Sequence, residues 1–110
     1  WRRTRAASND WALQTTFGTE GSGVGEIIEP WDIAVSGDGL TAWVTDGGND
    51  RVSIWKRPRA GSTAWTNTGT FGSEGSEAGQ FKLPWGVAVA GKTLLVGDFD
   101  NHRVSVWTLA

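Results

Sequence analysis

The chain has 110 residues, a formal net charge of -2 and no cysteine. It is therefore one small domain at most, with neither a disulfide framework nor a thiolate metal site, and it is not a uniformly basic nucleic-acid binder. No run approaches the roughly 18 apolar residues of a membrane helix, and no signal peptide is visible. A chain that begins at Trp1 and contains no methionine reads as a processed product or as a segment of something longer. Two excesses remain: 16 glycines, which suit a turn-rich architecture, and eight tryptophans beside no tyrosine.

In chain order, Trp1 reads as the end of a strand and is followed by the basic run "RRTR". Trp11 to Phe17 reads as a polar strand. "FGTEGSGVGEIIEPW" then looks like a phosphate-binding glycine loop, but it lacks the Gly-Lys-Ser/Thr ending and runs into "EPW" where a helix would start. Short strands come next at "DIAVS", "TAWVTD" and "RVSIW", then the basic run "KRPR" and the polar strand "TAWTNTGTF". From here the pattern returns. "FGSEGSEAGQFKLPW", "GVAVA", "TLLVGD" and "RVSVW" repeat the first set, with one turn two residues shorter. Trp1 aligns with Trp55 and Trp107, Trp11 with Trp65, Trp31 with Trp85, Asp46 with Asp98 and Arg51 with Arg103.

An internal repeat outranks any single motif. The units run over about 1–54 and 55–106, with the start of a third at 107–110. Four short strands per unit, with no helical period, predict an all-β fold of four-stranded antiparallel meanders, the pattern of β-propeller blades. The glycine loop is then the crossover from the outer strand of one blade to the inner strand of the next, where glycines permit positive φ.

"LPWGVAV" and "LLVGDFDNHRVSVW" resemble the NHL repeat, with its Pro-x-Gly-Val-Ala-Val start and Asp-x-x-Asn-His-Arg-Val end. The first copy keeps the frame but has Asp32 for the glycine and Asp50 for the histidine. The resemblance implies a β-propeller, commonly six-bladed, without specifying an activity. One complete blade is expected from about Asp32 to Phe71, and the last blade has three strands. The strand at 11–17 is expected to complete another blade. Copies exchanging that strand would close a ring, three chains giving six blades and four giving eight. The alternative is a piece of one longer propeller.

Most tryptophans fill equivalent repeat positions, which favours wedges between blades, and Trp43, aligned with Leu95, reads as packing. Trp31 and Trp85, with Asp32, are the candidate ligand-binding residues, because an aromatic face can stack on a sugar ring beside the central channel. The crossovers and the turns after the second strands hold Glu20, Glu26, Glu29, Asp46, Asp50, Glu74, Glu77, Asp98 and Asp100, predicting an acidic face. Arg2, Arg3, Arg5, Lys56, Arg57 and Arg59, with Lys92, predict a basic one. Asp46 and Asp98 are also expected to brace their turns against Arg51 and Arg103.

His102 is the only histidine and is replaced by Asp50 in the first copy, so no catalytic residue, metal site or cofactor is expected. The expected function is a non-catalytic binding or scaffolding unit that uses ring faces for protein or polymer contact. The alternatives are a lectin-like ring with tryptophan sites at blade junctions, and a structural subunit of an extracellular assembly. The expected partners are further copies of the chain, or the rest of a longer propeller, and a protein or glycan ligand. Sequence-specific nucleic-acid binding is disfavoured by the acidic surroundings of Trp31 and Trp85. The compartment stays open, with an extracellular or cell-surface setting favoured.

Overall fold

Alternating apolar and polar residues place every second side chain on the same face of a pleated strand. In the computed structural model, which describes residues 11–109, the alternating runs become two antiparallel meanders. Trp1, Arg2, Arg3 and Arg5 lie outside the described residues. A short parallel pair, β1 (Thr19–Glu20) and β2 (Glu26–Ile27), sits within the first glycine-rich crossover. The first meander then runs β3 (Pro30–Val35), β4 (Thr41–Asp46), β5 (Arg51–Lys56) and β6 (Thr66–Phe71), in that order across the sheet. The second comprises β7 (Pro84–Ala90), β8 (Thr93–Asp98) and β9 (Arg103–Thr108). The fold is all-β, with the blade-like four-stranded and three-stranded sheets that the repeat implied.

Residues 11–17 make no strand pairing among the described residues. Trp11 and Leu13 are exposed, and Phe17 alone packs, its ring 4.5 Å from that of Trp55. A strand needs an edge to pair with, and the counterpart of the β5 edge that β6 uses is the outer edge of β9.

The turns obey their sequences. Gly91 (φ 59°) opens a two-residue turn between the paired ends Ala90 and Thr93, as a tight hairpin requires. Gly72 (φ 96°) starts the second crossover, and a Cβ there would run into the Phe81 ring. Each of the turns β4–β5 and β8–β9 is a single turn of 3₁₀ helix ending on a left-handed residue, Asp50 (φ 51°) or His102 (φ 53°).

These turns are pinned by the expected ion pairs. Asp46 Oδ2 accepts from Arg51 Nε at 2.8 Å and from Asn49 Nδ2 at 2.9 Å, while Oδ1 accepts the Ile28 N–H at 2.8 Å. The Arg51 guanidinium reaches on to the carbonyls of Ser22 and Glu26, tying the crossover to the turn. Asp98, Asn101 and Arg103 repeat the arrangement, with Arg103 donating to Ser76 and Gln80.

The main core lies between the two sheets. Val52 from the first blade meets Phe81, Val87, Leu94 and Val96 of the second, with Ala34, Trp43, Phe71 and Trp107 around them. A smaller cluster of Ala42, Val44 and Trp55 sits on the opposite face of the first blade, under Phe17, Ile27 and Trp65. It is the repeat counterpart of the main core, with no contribution from a preceding blade among the described residues.

Candidate functional site

Trp31 and Trp85 are the second residues of β3 and β7, two strands that lie side by side. A proline precedes each tryptophan, and its strand pairing slips just beyond it, between Pro30 and Ile33 and between Pro84 and Val87. Such an irregularity bends the strand end and re-aims its side chains. The two indoles come within 5.1 Å of each other at a 33° tilt. Trp85 also stacks on Phe99, with ring centres 4.0 Å apart and planes 15° from parallel. Trp31 instead lies over Gly47, the counterpart of Phe99, where any side chain would strike the indole. Trp31, Trp85 and Phe99 thus form one aromatic shelf, between 38% and 50% exposed.

Asp32 belongs to the support of this shelf. Its Oδ1 accepts the Ile33 N–H at 2.8 Å and its Oδ2 accepts the Val87 N–H at 3.1 Å, across the blade junction. The Thr45 hydroxyl accepts the Asp32 N–H at 2.9 Å and donates to the Trp85 carbonyl at 2.7 Å. Asp50 Oδ1 accepts the Leu83 N–H at 2.8 Å. Three side chains of the first blade therefore hold the inner strand of the second and its approach. Asp32 and Asp50 are the two departures of the first copy from the repeat motif, and both act at this junction.

The charges divide along the strands, with particular side chains withdrawn. Pro30 pairs with Asp46 at the shelf end, whereas Lys56 pairs with Thr41 at the other. Asp46 and Asp98 are fully buried in their ion pairs and leave the acidic face, which corrects their place among its surface charges. Burial next to a guanidinium is the physical reason. Glu29 and Asp100, flanking the shelf in sequence, are exposed. On the basic side Lys56 and Arg59 are exposed, while Arg57 donates to the carbonyls of Gly39 and Ser62 and lies 4.7 Å over the Trp65 ring. Among the described residues no group of three or more His, Cys, Asp or Glu side chains is gathered to hold a metal ion. Phe99 is the shelf residue the sequence did not reveal. Its counterpart is glycine, and nothing local marks it as a partner of Trp85.

Two stacked antiparallel meanders, with adjacent inner strands and aromatic residues at their loop ends, define blade-like units of the β-propeller class. Residues 81–107 match the family model of the NHL repeat, the stretch that holds most of the second meander. No curated protein matches the chain.

Proposed function

We propose that the chain is a non-catalytic binding unit whose aromatic shelf takes an extended peptide carrying basic residues. The observation that supports this reading is the shelf itself: three large aromatic side chains, contiguous, half-exposed and held in place by buried polar contacts. Exposed aromatic surface costs solvation free energy that a bound ligand recovers. Indole faces attract cations, and the exposed carboxylates of Glu29 and Asp100 favour the same charge.

A second reading is a lectin-like site, because the same indole faces can stack on the apolar face of a sugar ring. Arrays of basic peptides and of oligosaccharides, probed with the whole chain, separate the two. Peptide hits that weaken with added salt and are lost in Phe99→Ala, at unchanged unfolding midpoint, are expected. Hits confined to oligosaccharides would replace this reading with the lectin one. Silence on both arrays, or hits indifferent to Phe99→Ala, would overturn the shelf as a binding site.

A further inference from the structure

We propose that the outer face and free edge of the second blade dock a second copy of this chain. That copy supplies its residues 11–17 as the fourth strand and the uncovered face of its first blade as the lid. The joint borders the shelf at Trp85 and Phe99 but requires no ligand there.

The junction inside the chain shows what covers such a face. On the first blade, Ala34, Trp43 and Val52 are packed against Val87, Val89, Leu94 and Val96 of the second. Their counterparts on the second blade, Ala88, Leu95 and Val104, are exposed, as is Val106. At the other end of the chain, Ile33 and Val35 are the counterparts of Val87 and Val89, and each is about half exposed. Among the described residues, one copy thus carries both halves of the joint, each without its partner. Hollows mark both surfaces: one of about 360 Å³ is lined by Trp85, Phe99, His102 and Val104. The other, of about 290 Å³, is lined by Ile27, Pro30, Ile33 and Val44.

The strand to be exchanged is already anchored for the purpose. Within the chain, β6 pairs with β5 through Val52–Phe71, Ser53–Thr70, Ile54–Gly69 and Trp55–Asn67. The repeat converts these pairs to Val104–Phe17, Ser105–Thr16, Val106–Thr15 and Trp107–Leu13. Phe71 then turns the crossover onto Trp107, 4.4 Å away, and Phe17 stands on Trp55 in the same way at 4.5 Å. Beyond Phe17, the crossover is also in its junction form, with Asn49 donating to Gly21 as Asn101 donates to Gly75. Residues 11–16 leave this anchor exposed.

The polar complement fits as well. Val87 N–H needs Asp32 of the preceding blade, but the counterpart Ile33 N–H is already served by its own Asp32. The docking face can therefore carry Gly86 at that position without orphaning a donor. Gly97 and His102 stand where Thr45 and Asp50 clamp the internal junction, so the joint between copies lacks those two clamps. It rests on apolar burial and the strand ladder, and it is weaker and more reversible than the junction within the chain. The contact is head-to-tail, so it closes a ring or grows a filament.

The absence of cysteine allows a direct test. Thr16→Cys and Ser105→Cys, prepared separately and mixed under mild oxidation, are expected to give a disulfide-linked pair containing one of each. The unsubstituted chain is expected to associate with rising concentration by light scattering. Val104→Asp is expected to weaken that association roughly tenfold or more, because a carboxylate would be buried in the joint. Its side chain is open to solvent in the single chain, so the unfolding midpoint of the dilute protein stays unchanged. A monomer from low micromolar to near-millimolar concentration overturns the proposal. So does association that Val104→Asp leaves intact, or that yields no link between positions 16 and 105.

Discussion

Val52 and Val104 hold the same place in their strands, yet Val52 is completely buried and Val104 is 62% exposed. The second blade covers the first, and no described residue covers the second. The pair isolates the contribution of stacking from that of the strand itself. Val52→Ala is expected to cost about 2 kcal/mol, through lost methyl burial and an unfilled cavity. Val104→Ala is expected to cost less than about 0.5 kcal/mol in dilute protein. Urea unfolding of both variants checks the contrast, and equal losses would contradict the stacked arrangement.

The two ion pairs differ in shielding. Arg51 is 15% exposed and Arg103 is 35% exposed, while both aspartates are fully buried. Asp46→Asn leaves Arg51 without its carboxylate in a largely dry site, and a loss of about 3 kcal/mol is expected. Water reaches Arg103 more readily, so Asp98→Asn is expected to cost about half as much. The order of the two denaturation midpoints is the readout, and the reverse order would count against this account.

The clamps at the blade junction predict a local effect. Asp50→Ala removes the acceptor of the Leu83 N–H, and Thr45→Val removes the hydroxyl that donates to the Trp85 carbonyl. Each is expected to cost about 1 to 2 kcal/mol. Hydrogen exchange should accelerate at Leu83 in Asp50→Ala and stay near its original rate in the β4–β5 ladder. Uniform acceleration across both sheets would show that the junction does not open separately.

The β3–β4 turn contributes a pH dependence. The Ser36 hydroxyl, 2.6 Å from Asp38 Oδ1, and then the Leu40 N–H at 2.9 Å hold the Asp38 carboxyl below its ordinary value. A carboxyl depressed in the folded state stabilises the fold above its unfolded pKa, near 3.9, and that contribution is lost as the pH falls through the folded value. The Asp38 carboxyl resonance is expected to titrate below the ordinary aspartate range, and Ser36→Ala to move its midpoint upward. An unchanged midpoint in Ser36→Ala would remove the hydroxyl as the main cause.

Much of this architecture is legible in the sequence because local chemistry specifies it. Alternation in "RVSIW" and "RVSVW" marks β5 and β9, and the aligned Asp46–Arg51 and Asp98–Arg103 spacings mark two pinned turns. The glycine-rich crossovers are excluded as phosphate loops because each runs into a proline and a strand instead of Gly-Lys-Ser/Thr and a helix. Trp31 and Trp85 are conspicuous because each comes directly after a proline at the head of an inner strand.

Other relationships arise only when two blades pack. Asp32 and Asp50 look like lapses from the repeat until the second blade brings Val87 and Leu83 within reach of their carboxylates. Phe99 joins the shelf because the turn after β8 lays its ring flat on Trp85, a contact that no local spacing encodes. Val52 and Val104 share one sequence pattern and differ in burial. Strands, turns and repeat are written in the chain locally, since these arise from pleat, φ preference and short-range pairing. Stacking decided which equivalent faces are covered and which carboxylates serve as clamps, because burial depends on a neighbour brought close by the fold rather than by the chain.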